Sequence, residues 1–330
     1  MKTYNVALVG ASGAVGAELI SILEEISFPV GRFLPLVSAR SAGQKIHAFS
    51  QEYTLQETTP ESFKDIDIAF FSAGSKVSEQ LAPLAAKAGA VVIDNTSFFR
   101  LEEGVPLVVP EVNPQDLTHC PKNILANPNC STIQMVQVLN PLHQAFGIVR
   151  VDVSTYQAAS GAGKRGLEEL KAQMAGSTYA QVFPHPLALN VIPQIDVFMD
   201  HGYTKEELKM VRETHKIMHA DFAISATCVR VPVLRSHSES ISIRFKTPVS
   251  AKKAHGVLKN APNIVLVDDP ANKLYPMPIT ATSTDQTFVG RVRGDLFDPH
   301  TLHLWCVADQ LRVGAATNAV RIANEWIKTH

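Results

Sequence analysis

The chain has 330 residues, of which 45% are hydrophobic and 18% charged, with 30 Lys and Arg against 31 Asp and Glu. That composition excludes intrinsic disorder, and at ~150 residues per domain the length predicts two domains. A formal net charge of −1 gives no basic footprint for nucleic acid or acidic lipid, and no uncharged apolar run reaches the ~18 residues of a membrane span.

The opening MKTYNVALVGASG reads as a strand with no export-type segment ahead of it, so a cytoplasmic protein is expected. The β-rich run 4–9 ends at Gly10. From 14 to 26 the apolar positions Val15, Leu19, Ile22, Leu23 and Ile26 follow helical spacing. Apolar runs at 33–37, 66–71 and 91–94 read as strands, with a helix over 78–88 before the last. Nearly continuous apolar strands separated by helices predict a parallel sheet covered on both faces. The expected class is α/β, with an N-terminal Rossmann-like, doubly wound domain. Residues 151–156 and 240–245 instead alternate with period two, predicting half-exposed strands of an antiparallel or mixed sheet. With helices over 166–174 and 205–218, they predict an α+β second domain. The segment 313–327 reads as an amphipathic helix returning to the first domain. The expected domains are 1–127 completed by 313–330, and 128–312.

Gly10, Gly13 and Gly16 lie between the first strand and the first helix, with Ser12, Ala14 and Val15 among them. Glycines there allow a tight turn and bring a pyrophosphate close to a helix N-terminus. At the end of the second strand stand Ser38, Arg40 and Ser41, without the acid that usually holds the ribose of NAD. A guanidinium with nearby hydroxyls suits a 2′-phosphate, so NADP(H) is the expected cofactor. Ser72, Gly74 and Asn95 fall at the ends of later strands, where doubly wound sheets bind ligands.

The four cysteines, 120, 130, 228 and 306, show no C-x-x-C spacing, so neither a metal site nor a dithiol is expected. Cys130 precedes an apolar helical run, with Ser131 and Thr132 as candidate caps. A helix N-terminus favours the nucleophilic thiolate, and a thiolate beside a nicotinamide suits aldehyde chemistry through a thioester. Cys228 and Cys306 lie in apolar strand-like runs and read as inert. His237 follows the strand-like run 228–234 in a polar loop, with an imidazole able to exchange protons near neutrality.

The words VALVGASGAVG (6–16), VVIDNTSFFR (91–100), PLVVPEVN (106–113), NPNCSTIQM (127–135), YQAASGAGKRG (156–166), ATCVRVPVLRSHSES (226–240) and ADQLRVGAATNAVRIA (308–323) occur in this order. Together they resemble the aspartate-semialdehyde dehydrogenase family over essentially the whole chain. The resemblance implies reversible, NADPH-dependent reductive dephosphorylation of β-aspartyl phosphate, with phosphate as co-substrate in the other direction and no metal. It implies Cys130 as nucleophile, His237 as acid/base and Gln157 as the residue orienting the reacting centre. Arg230 would hold the substrate carboxylate, Glu213 its ammonium, and Arg100 and Lys216 the phosphate. Ser12, Gly13, Val15 and Arg40 would contact the cofactor, with Ser160, Gly161 and Asn318 on its nicotinamide side. The resemblance also implies a homodimer or homotetramer acting on a small molecule, with no nucleic-acid or membrane partner. An N-acetyl-γ-glutamyl-phosphate or malonyl-CoA-type reductase on the same scaffold is the alternative enzyme, and a catalytically inactive paralogue the alternative of another class.

Overall fold

The structure, a computed structural model, describes residues 2–329. It forms two compact units, Met1–Pro128 with Ala315–His330, and Asn129–Gly314.

In the first unit, β1 (Tyr4–Val9), α1 (Ala14–Glu25) and β2 (Val30–Val37) follow each other directly, and a small hairpin, β3 (Lys45–Ala48) with β4 (Gln51–Thr54), precedes the short β5 (Gln56–Glu57). Then come β6 (Ile68–Phe71), α2 (Ser75–Lys87), β7 (Val91–Asp94) and β8 (Ile124–Ala126). Apart from the hairpin these strands make one parallel sheet in the order β5-β2-β1-β6-β7-β8. One face of the sheet buries Val6, Leu8, Ile68 and Ile93 against Leu19 and Leu23 of α1 and Ala319, Val320 and Ala323 of the terminal helix Thr317–Thr329, and the alternate residues Ala7, Val9, Ala69, Phe71 and Val92 are buried on the other face, so the strands show no alternation. From β1 the chain winds outward to β2 in one direction and to β6 and β7 in the other. The gap between β1 and β6 is therefore the switch point at which such sheets bind ligands.

The second unit contains α3 (Cys130–Phe146), β9 (Ile148–Gln157), α4 (Gly163–Met174), α5 (Lys205–Met218), β10 (Ala223–Arg230), β11 (His237–Phe245), α6 (Ala251–Lys259), β12 (Ile264–Leu266), β13 (Thr287–Gly294) and β14 (Thr301–Ala308). The sheet order is β10-β9-β11-β14-β13-β12, mixed in direction. One face buries Val151, Val153, Ile241 and Leu304 beneath Met135 and Leu139 of α3, Met210 of α5 and Leu258 of α6. The other carries exposed Arg150, Asp152 and Tyr156. The alternation read from the sequence is this two-faced environment.

One local expectation is overturned. The strand after residue 222 stops at Arg230 rather than running to 234, and Pro232, which cannot donate to a ladder, follows at once. His237 is then not in a polar loop: it opens β11 and is fully buried. Among the described residues no helix is long and apolar enough to cross a membrane.

Candidate active site

At the β1/β6 switch point a cavity of about 410 Å³ is lined by Gly10, Ser12, Gly13, Ser38, Arg40, Ser41 and Ser72, all predicted cofactor residues. Two glycines are there for space. A Cβ on Gly16 would stand 2.4 Å from the Gly10 carbonyl, and one on Gly10, at φ +96°, would stand 2.8 Å from the Ser72 hydroxyl. Gly16 thus lets α1 start against the loop, while Gly13 is its N-cap with no side chain in the way. Ala14 and Val15 sit in the first turn of α1 and Gly74 caps α2, so these three shape the loops without lining the cavity. Asn95 donates from its amide to the Phe71 carbonyl at 3.3 Å, and its buried Oδ1 has no partner among the described residues. The end of β2 itself carries no acid, but Glu57 lines the cavity too, because β5 pairs alongside the end of β2.

Arg100, also in the first unit, is buried and donates to the Asn95 and Asn127 carbonyls, both at 2.9 Å. These carbonyls follow β7 and β8, which places the guanidinium at the carboxyl edge of the sheet.

In the second unit, Cys130 is the first residue of the 17-residue α3. The cap is Asn129, not Ser131 or Thr132. Its side-chain oxygen accepts from the Ser131 and Thr132 N–H groups at 3.0 and 3.3 Å. Only the residue before the helix can reach those donors with its side chain. Asn129 is itself clamped, its N–H to Glu213 at 2.6 Å and its amide to Glu206 at 2.8 Å. Burial pushes the Cys120 thiol up to about 11, and drives Cys228 and Cys306 up as well. Cys130 is only half-buried.

Around Cys130 the ends of β9, β10 and β11 bring Gln157, Arg230 and His237 together. The His237 Nδ1 accepts the Ala158 N–H at 3.0 Å, so the neutral ring carries its proton on Nε2, which has no partner among the described residues. Burial first, and the Arg230 charge second, push its pKa well below the usual histidine value. A Cβ on Gly161 would stand 2.9 Å from His237 Nε2 and 2.7 Å from Arg230 Nη1. Glycine at 161 therefore leaves open the space that both groups face. Arg230 donates to the Ala158 carbonyl at 2.7 Å, and among the charges acting on it are Glu206 and Cys130.

Two residues missed in the sequence belong to this cluster. Glu206, fully buried, accepts from the Gln157 amide at 3.3 Å and pairs with Lys209 at 3.1 Å. Burial raises its pKa, but Lys209 and the amides of Asn129 and Gln157 outweigh that and leave it lowered, so it is a carboxylate. Glu206-x-x-Lys209 repeats as Glu213-x-x-Lys216 two turns later on the same face of α5, and local spacing cannot choose between the pairs. Glu213 spends an oxygen on the Asn129 N–H, and Lys216 is half-buried in the last turn of α5. Gln310 is the other: its amide donates to Ser160 and its oxygen accepts the Ser236 N–H at 2.8 Å. Asn318, expected at the nicotinamide, is fully buried in the first unit and donates to Val108 and Asn127 at 2.9 and 2.7 Å.

A glycine also abuts the nucleophile. Gly314 lies in a π-helical turn, Arg312–Ala316, and a Cβ on it would stand 2.6 Å from the Cys130 Cβ. Gly314→Ala should displace the sulfur and lower kcat about 100-fold while cofactor affinity is kept. Steady-state kinetics with a cofactor titration checks this, and an unchanged kcat would mean that the turn absorbs the methyl group.

Comparison with known proteins identifies this arrangement. The family described as "Semialdehyde dehydrogenase, NAD binding domain" matches residues 5–120, and "Semialdehyde dehydrogenase, dimerisation domain" matches 139–313. The aspartate-semialdehyde dehydrogenase of Campylobacter jejuni is 59% identical over 99% of this chain and 98% of its own length. That of Helicobacter pylori strain J99 is 60% identical over 99% of both. The crystal structure of aspartate semialdehyde dehydrogenase II from Vibrio cholerae, complexed with ASA, superposes with a TM-score of 0.97 at 43% identity, covering 99% of each chain. The chain belongs to the aspartate-semialdehyde dehydrogenase family.

Proposed function

We infer that the chain is an NADP-dependent aspartate-semialdehyde dehydrogenase, reducing β-aspartyl phosphate to L-aspartate 4-semialdehyde with release of phosphate, in amino-acid biosynthesis. The observation that carries this reading is the half-buried Cys130 at a capped helix start, among Gln157, Arg230 and His237. The Cys130 thiolate attacks the acyl phosphate carbon, the C–O bond to phosphate breaks, and a thioester remains. Bound NADPH supplies the hydride that reduces this carbonyl. The His237 Nε2–H stands ready to give a hydrogen bond to the oxygen that gains charge. When the C–S bond breaks, the electron pair on that oxygen re-forms the carbonyl, the aldehyde leaves and the thiolate is restored, the neutral ring keeping its proton. Arg230 takes the substrate carboxylate. This offsets the charge that depresses His237, so substrate binding raises the basicity of the imidazole when it is needed.

Glu213 remains the proposed partner of the substrate ammonium, while Glu206, already engaged by Lys209 and by the amides of Asn129 and Gln157, positions those groups around Cys130. Gln310 joins Ser160, Gly161 and Asn318, whose buried Oδ1 has no partner among the described residues, on the nicotinamide side. Arg100 and Lys216 remain the proposed phosphate residues. The glycine cradle, the strand-end serines and Arg40 fit a dinucleotide with a 2′-phosphate, while Glu57 beside them repels that phosphate and tempers the preference. The exposed sheet face, with the Tyr156 and Trp305 rings 5.3 Å apart, supports self-association as a homodimer.

The test is turnover of L-aspartate 4-semialdehyde with phosphate and either NADP or NAD, against its N-acetylated γ-glutamyl homologue. A carboxylate at Glu213 implies a free ammonium, so the acylated aldehyde should be a poor substrate, and preference for it would reject the assignment. Arg40→Glu should weaken NADP about tenfold or more while leaving NAD little changed. Equal effects on both would remove Arg40 from the 2′-phosphate site.

A further inference from the structure

Helix α4 carries two buried polar side chains that touch neither Cys130 nor His237 in any observed bond. Glu169 and Gln173 lie one turn apart, each 6% exposed. The Glu169 carboxylate accepts the N–H groups of Gln181 and Val182 at 2.8 Å and of Phe183 at 3.2 Å. Gln173 accepts from Leu187 at 2.8 Å and Ala188 at 3.1 Å, and donates to the Tyr179 carbonyl at 2.7 Å. The segment so held has no regular secondary structure, so these side chains supply what a sheet partner would give its backbone. Three N–H groups converging on one carboxylate are charge-assisted, and stronger than neutral bonds.

The clamp delivers Phe183. Its ring is buried with Leu170, Leu187 and Ile192, and lies 5.8 Å from the Arg230 guanidinium carbon. Gly166 makes room for it, since a Cβ there would stand 3.1 Å from the ring tip. Arg230 is thus held between the Ala158 carbonyl and an aromatic face, and a cavity of about 420 Å³ beside it is lined by Gln181, Phe183, Asp196 and Arg230.

We propose that Glu169 is a positioning residue for substrate recognition: by holding residues 181–183 it seats Phe183 against Arg230 and sets the wall of the pocket that receives the substrate carboxylate. The proposal rests on the reading of Arg230 as the carboxylate anchor. Glu169 acts on binding and not on the reacting carbon, so its loss should separate KM from kcat.

Glu169→Ala should raise KM for aspartate semialdehyde about tenfold with kcat within about threefold. The rate at which iodoacetamide alkylates Cys130 should be unchanged in the free enzyme, while protection by the semialdehyde weakens. Glu169→Gln keeps one acceptor oxygen and should fall between the two; it carries the test if the alanine variant does not fold. Phe183→Leu, which leaves the clamp in place, should reproduce the rise in KM. An unchanged KM in folded Glu169→Ala or Glu169→Gln, or a fall in kcat at constant KM, would overturn the proposal. If Arg230→Leu itself leaves KM unaltered, the anchor reading fails. If Arg230→Leu raises KM and the Glu169 variants do not, only the clamp is refuted.

Discussion

Cys130→Ala is expected to reduce phosphate-dependent oxidation of aspartate semialdehyde by about 10⁴-fold or more, with the fold and cofactor affinity unchanged. Loss of a nucleophile removes the covalent route altogether, so the residual rate reflects binding and orientation alone. The stability cost should be about 1 kcal/mol or less, because the side chain is small and half-buried and the cap on Asn129 does not depend on it. The other three cysteines have thiols pushed up by burial and cannot substitute for it. Circular dichroism, an NADP titration and the progress curve together check the result; turnover near the wild-type rate would end the covalent account.

The second large effect belongs to Arg230. Arg230→Leu should lower kcat/KM by about 100-fold or more, since a charge-assisted bidentate contact to the substrate carboxylate is lost. Arg230→Lys should recover only part of it, because an ammonium lacks the planar fork and the face that meets Phe183. The pH profile should move as well. Burial and then the Arg230 charge lower the His237 pKa, which keeps the ring neutral well into acid. Removing the charge raises that pKa, so protonation sets in at higher pH. The acid limb of kcat/KM should therefore shift upward in Arg230→Leu. A limb that stays where it was would mean that His237 and Arg230 are not coupled.

Much of the site was readable along the chain wherever a function rests on local context. The glycine loop is contiguous with its strand and helix, Cys130 with the helix it begins, and the alternation in 151–156 with the face it buries. What escaped detection depends on residues that folding brings together. Glu57 reaches the cavity between β1 and β6 only because β5 pairs with β2. Gln310 reaches Ser160 across 150 positions. Glu206 and Glu213 are separated by two helical turns and have the same i, i+3 lysine, so periodicity assigns them one face without saying which meets Gln157. The polar neighbours Arg235, Ser236 and Ser238 make the sequence around His237 look like a loop. In the fold Ser236 and Ser238 are buried, and Arg235 is anchored by Asp309 at 2.7 Å. Polarity there signals a buried hydrogen-bonded layer and not solvent.

The central claim is that a thioester forms on Cys130. Enzyme mixed with aspartate semialdehyde and NADP in the absence of phosphate, quenched in acid and mapped by peptide mass spectrometry, tests it directly. The account predicts an aspartyl adduct on the peptide that contains Cys130, discharged when phosphate is added before the quench and missing from Cys130→Ala. Reduced cofactor formed without any adduct at Cys130, or an adduct that phosphate does not discharge, would contradict it.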